Sequence, residues 1–203
     1  PDWMISEEQQ DALDEYLKDS PIDLRASILA VNVSVAGTGQ KAVGVALMGN
    51  AVANTIQSQI TGSTVRAGVN AFGTVVDPAS DVFLTSSSKA GILAVSVGVG
   101  ASGDLAIQGT AFGNVITNRV AAAITGGSNV RAADQVGLSA TDDSSIRSLG
   151  LSIAASGSNA ISGIIGANVI TNQVTARIAG STVTSGGALG LSADAGLGSQ
   201  PPS

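Results

Sequence analysis

The chain has no cysteine and no histidine. Their absence excludes disulfides, thiol nucleophiles, thiolate zinc sites and every mechanism that runs through imidazole. Aromatic residues are scarce too, with one Trp, one Tyr and three Phe in 203 residues. An enzyme core ordinarily draws much of its buried area from such rings, so packing here falls to small and aliphatic residues. Pro78 is the only proline between residues 22 and 200. A basic surplus is also missing. Residues 1–23 carry eight acids against Lys18 alone, and the rest of the chain holds eight basic and seven acidic groups. Without a basic stripe, nucleic-acid binding has no electrostatic footing. The acidic N-terminus lacks the continuous apolar run of a signal peptide.

What is present is repetition. One stretch is written three times, most cleanly from Asn159 through Asn168 and Asn172 to Ile178 and Val183. Asn54, Asn118 and Asn172 are separated by 64 and 54 residues, and Asn50, Asn114 and Asn168 repeat those offsets. Gly39, Gly103 and Gly157 repeat them again. Agreement among unrelated residue types marks a true internal repeat, and repeats decide architecture. The copies run over about 25–81, 82–135 and 136–188, with a fourth beginning at 189.

Residues 1–23 predict a short α-helix. Ser6 and Gln9 fit a capping box, and Glu7 and Glu8 sit where the helix dipole favours negative charge. Leu13, Tyr16 and Leu17 share one face, and Ser20-Pro21 ends the helix. Its expected role is a cap over the open end of the next element, with a docking helix or an interdomain linker as alternatives. Residues 198–203 read as a tail or linker.

From Arg25 the period becomes two. Leu29, Val31, Val33 and Val35 alternate with Ala30, Asn32 and Ser34. Leu93, Val95, Val97 and Val99 do the same, as do Leu149, Leu151 and Ile153. Such alternation predicts strands. The asparagine-bearing stretches alternate as well. Asn50, Asn54, Ile56 and Ile60 fall on one face, as do Asn114, Asn118, Val120 and Ile124, then Asn168, Asn172, Val174 and Ile178. Gln57, Gln59, Arg119, Gln173 and Arg177 occupy the opposite face, which should meet water. Asparagines on an apolar face need partners. Identical residues in stacked coils can supply them as ladders; alternatively, the asparagines mark corners with left-handed backbone.

Each stretch ends in a glycine turn, Gly62-Ser63, Gly126-Gly127-Ser128 or Gly180-Ser181, before a further strand at Val65, Val130 or Val183. Copy one then carries extra residues, 69–81, containing Phe72, Asp77 and Pro78. Insertions in repeat proteins map to surface loops, so these three are the candidate interaction residues.

One such unit cannot bury its own apolar face, whereas stacked units make a continuous core. The expected fold is therefore all-β, a parallel β-solenoid (β-helix) of three repeats with an N-terminal helical cap. A transmembrane β-barrel would want aromatic girdles that are missing. Packed helices would not give β-branched alternation.

The Gly/Ala-Asn-x-Ile/Val-Thr/Ala-Asn motif, followed by Ile, Gly-Ser and Val at fixed offsets, resembles repeats of large bacterial surface proteins. These are the filamentous-haemagglutinin and leukotoxin-like adhesins. The resemblance covers roughly 25–193 and implies an extended extracellular stalk or filament segment for adhesion or biofilm. It transfers no ligand-binding residues, and the Asn-Pro-Asn motifs of the two-partner secretion domain are not in this sequence.

Chemistry has few footholds. Asp142-Asp143 with Ser144 and Ser145 offers oxygens for Ca²⁺, but Ser87 and Ser88 stand at that place in copy one, and a solvated turn is expected. Gly37-Thr38-Gly39 lacks the Gly-Lys-Ser/Thr of a phosphate loop. No catalytic residue, cofactor or metal is assigned. The reading is a non-catalytic segment of an extracellular or cell-surface adhesin or biofilm fibre. It would associate end to end or with neighbouring repeats of a longer chain, and would take a host or glycan ligand, no nucleic acid and no membrane span. Two alternatives remain: a carbohydrate-binding or hydrolytic solenoid using the 69–81 insertion, and a self-assembling fibre subunit.

Overall fold

The computed structural model describes residues 27–197. The helix expected within 1–23 and the tail at 198–203 lie outside the described residues. Within them the chain is all-β, with twelve strands and no helix. In chain order these are β1 (Ile28–Thr38), β2 (Lys41–Thr61), β3 (Thr64–Ala67), β4 (Val82–Ser88), β5 (Gly91–Ser102) and β6 (Leu105–Thr125). They continue as β7 (Asn129–Ala132), β8 (Val136–Ser156), β9 (Asn159–Ile170), β10 (Gln173–Ile178), β11 (Thr182–Ser185) and β12 (Leu189–Leu197).

Three sheets result. One has the order β1-β5-β8-β12 with β4 also on β8; a second has β10-β6-β2 with β9 on β6; the third is β11-β7-β3. The ladders are parallel, and their register is the sequence repeat. Val33 pairs with Val97, Leu84 with Leu138, and Val120 with Val174. Val130 lies between Val65 and Val183, and Leu138 pairs with Leu191. The extra glycine of copy two, Gly127, is absorbed at the corner before β7, so the strands beyond it realign.

The corners use glycine for a physical reason. Gly62, Gly126 and Gly180 have φ of +59°, +68° and +55°, a region costly for any residue with a Cβ. Among the described residues no side-chain-bearing residue has positive φ. The repeated asparagines lie in or between strands instead, which overturns the corner reading for them. Gly180→Ala should cost about 1 kcal/mol for backbone strain alone, because nothing crowds its Cβ position. Gly126→Ala should cost more, since a Cβ there meets Thr61 Cγ2 at 3.0 Å. Urea unfolding of the two variants checks that order.

The chain divides into two units, and neither corresponds to one copy. Each takes a segment from every copy: residues 27–50, 91–113 and 146–167 in one, and 51–90, 114–145 and 168–197 in the other.

The second unit has a conventional core. Val82, Leu84, Val120, Ile124, Val130, Val136 and Leu138 are buried together, with Ile60, Val65, Val174, Ile178 and Val183 packed against them. Phe83 faces outward, and its ring covers the place where Gly137 would carry a Cβ. The glycine in β8 thus seats the ring of its neighbour strand.

The first unit is inverted. Its large aliphatic residues point out: Leu29, Val31, Val33 and Val35 of β1 are 61–76% exposed. Val43, Val45 and Leu47 of β2 are exposed, as are Leu149, Leu151 and Ile153 of β8. Its interior holds Ala42, Ala46, Ala94, Ala106, Ser96, Gln108 and Thr110, with only Ile92 as a large apolar residue. The Gln108 amide fills the space that a Cβ at Gly44 or Gly98 would take. Phe112 likewise occupies the space that a side chain at Gly150 or Gly166 would need. The expectation of one continuous apolar core therefore holds for the second unit and fails for the first. The backbone alternation of each long strand does not change phase; the position of its apolar residues does.

Candidate functional site

The densest polar arrangement lies inside the second unit, around Asn118 on β6. Its even-numbered neighbours on the strand point inward, so Asn114, Ile116, Asn118 and Val120 are all buried. A buried amide must be paired, and successive copies do the pairing. Asn54 N–H donates to Asn118 Oδ1 at 3.1 Å, and Asn118 N–H donates to Asn172 Oδ1 at 3.0 Å. Asn114 Nδ2 donates to Asn168 Oδ1 at 2.9 Å. The side-chain carbonyls of Asn118 and Asn172 thus each cap the backbone of the copy before. Asn50 lies on β2, half-buried.

The same device recurs at the glycine corner. Ser63 N–H donates to Ser128 Oγ, and Ser128 N–H donates to Ser181 Oγ at 3.1 Å. Ser128 Oγ donates in turn to the Thr125 carbonyl at 2.6 Å. Thr61 and Thr125 hydroxyls meet at 3.1 Å beside it.

Asp142 joins the asparagine column from β8. Its carboxylate is 1% exposed. One oxygen accepts from Asn118 Nδ2 at 3.0 Å and the other from Asn172 Nδ2. Ser88 Oγ and Ser144 Oγ lie 3.2 and 3.0 Å from Asn118 Nδ2, whose two hydrogens satisfy two of its three acceptors at once. The expected solvated turn at 142–145 is corrected: these residues lie within β8. Alternation sends Asp142 inward and Asp143 outward, where Asp143 faces Lys89 at 3.7 Å across an exposed ion pair of little energetic consequence. The two carboxylates cannot act on one bond. Among the described residues, no cluster of three or more Asp, Glu, His or Cys gathers to hold a metal. With both Asp142 oxygens taken by amide hydrogens, the node is built to fix neighbouring strands.

Sequence reasoning named the asparagines but not Asp142, Ser88 or Ser144 as their partners. The signal was present: Ser88 pairs with Asp142 in the ladder, and both have the parity of the inward face.

The 69–81 insertion forms a lobe of the second unit, tied to the next copy where Asp134 N–H donates to the Ser80 carbonyl and Gln135 N–H to Asp81 Oδ1. Asn70 Oδ1 accepts from the N–H groups of Phe72 and Thr74, both at 2.9 Å, and Val69 bridges Val75 in antiparallel fashion. Asp77 accepts from Ala79 N–H and Ser80 Oγ, which settles the turn at Pro78. Phe72 stands at the tip, 92% exposed. The structure thus separates the three candidate residues: Asp77 and Pro78 shape the lobe, and Phe72 is presented to solvent.

On the outer face of the β2-β6-β10 sheet, a shallow groove is lined by Gln57, Arg119, Ala121, Gln173, Thr175 and Arg177. Arg177 pairs in the ladder with Ala123, four residues along from Arg119. At a rise of about 3.3 Å per residue and ~4.8 Å between strands, their α-carbons stand about 14 Å apart. The expected solvent-facing polar side is present. No described helix is long and apolar enough to cross a membrane. No protein-family model, no curated protein and no solved structure matches this chain.

Proposed function

We propose that the chain is a segment of a parallel β-solenoid serving as a non-catalytic stalk or filament section of a bacterial surface or secreted adhesin. The observation that carries this reading is the identity between repeat offset and ladder register. Residues equated by sequence, such as Val65, Val130 and Val183, are laterally bonded neighbours. In such an array each layer contacts only the next, so extension is a matter of adding copies. The asparagine and serine columns, buried at Asn114, Asn118 and Ser128, support the same reading, because their hydrogen bonds run from copy to copy. In these columns the polar side chains are spent on alignment, and this supports a mechanical role over a chemical one.

The test is elongation. Chains carrying further tandem copies of residues 136–188 should lengthen by about 4.8 Å per copy along one axis at constant cross-section. Small-angle scattering reads both quantities. A particle that swells equally in all directions as copies are added would remove the solenoid reading, and the stalk with it.

A further inference from the structure

We infer that the outer face formed by β1, β5 and residues 146–156 of β8 is a pairing surface for a second copy of this chain. The face carries Leu29, Val31, Val33 and Val35 on β1, Val95, Val97 and Val99 on β5, and Leu149, Leu151 and Ile153 on β8. Both edge strands of the face leave these side chains largely open to solvent, from 45% at Leu151 to 76% at Val35. Parallel sheets are ordinarily covered on both faces, and among the described residues this one is covered only on its inner side. Exposed apolar patches of several hundred Å² mark interaction sites.

Three features favour a second copy as the occupant. The first is area. Strands of eleven residues, three abreast, give a face of about 500 Å² from the rise and spacing of β-strands. Two such faces together remove about 1,000 Å² or more from water, which reaches the lower range of specific interfaces. The second is charge. Arg147 is the only charged residue on the outer positions of the face, and it lies at one corner on an edge strand. A twofold pairing therefore sets no like charges at its centre. The third is shape. In-register β-branched residues make even rows, so the face is complementary to itself under twofold rotation. The aligned packing of two such faces is that of a β-sandwich, with side chains interdigitating across about 10 Å. The opposite outer face of the same unit also exposes Val43, Val45, Leu47, Ile161 and Ile165, but its apolar rows are interrupted on β6 by Gly109 and Ala111.

Sedimentation equilibrium of the full chain should show a reversible dimer. Val97→Asp, at the centre of the middle strand, should weaken it by at least about tenfold. The chain has no cysteine, so Val97→Cys introduces a unique thiol. A short bifunctional thiol reagent should join two copies through residue 97, which keeps the question open to test even if the aspartate variant fails to fold. A chain that stays monomeric across micromolar concentrations would overturn the inference. So would self-association that Val97→Asp leaves unchanged, which would point to strand edges. A full chain that stays monomeric while a variant lacking residues 1–23 dimerises would also overturn it, by showing the face to be covered from within. These outcomes do not depend on whether added copies lengthen the particle.

Discussion

Asn118→Ala should lower the free energy of unfolding by about 3 kcal/mol, a loss that urea denaturation reads directly. The amide is fully buried, its two Nδ2 hydrogens have three acceptors within reach, and its Oδ1 accepts from the Asn54 backbone. Removing it strips one of the two amide donors from a buried carboxylate. Most of the cost is the buried Asp142 carboxyl group left short of a donor, since a buried acceptor without its donor forfeits its full hydration. Asp142→Ala should cost less, because Asn118 Nδ2 keeps Ser88 Oγ and Ser144 Oγ within reach and only the Asn172 amide loses its acceptor. The double variant should lose less than the sum of the singles, as expected for groups in one network. Simple additivity would mean that the two residues do not act as a unit.

Leu138→Ala and Leu151→Ala form the second experiment. The residues share a type, a strand and a direction of chain, but Leu138 is 2% exposed and Leu151 is 45% exposed. Truncating Leu138 opens a cavity among Val130, Val136 and their neighbours and should cost about 2–5 kcal/mol. Truncating Leu151 in dilute, monomeric protein should cost under about 1 kcal/mol, as for a surface site. Equal losses would mean that the first unit has an apolar core after all.

That contrast shows where the sequence was readable. Alternation at 29–35, 93–99 and 149–153 correctly marked strands, and the repeat offsets marked which residues stack. The glycine-serine corners followed from residue type alone, because only glycine takes the required φ cheaply. What alternation does not say is which face is inside. Apolar residues ordinarily fill the interior, and that rule serves Val120 and Ile124 on β6. It misplaces Ile107 on the same strand, because Ala106, Gln108 and Thr110 hold the inward positions there. The clue was a change of parity within one strand, odd before Phe112 and even after Asn114. The partners of the asparagines were hidden for another reason. Asp142 lies 24 residues from Asn118 on a different strand, and one copy cannot reveal a contact between sheets.

The treatment of residues 68–81 has a practical meaning. β3 ends at Ala67 and β4 resumes at Val82, each in the register its sheet dictates. The whole surplus is spent between those two points, and the flanking ladders do not feel its length. Chain closure between fixed ends grows only slowly more costly as a loop lengthens. This juncture can therefore accept foreign cargo, an epitope or a short recognition peptide, in place of Phe72 and its neighbours. Displayed there, the cargo would stand off a scaffold whose layers continue undisturbed beneath it.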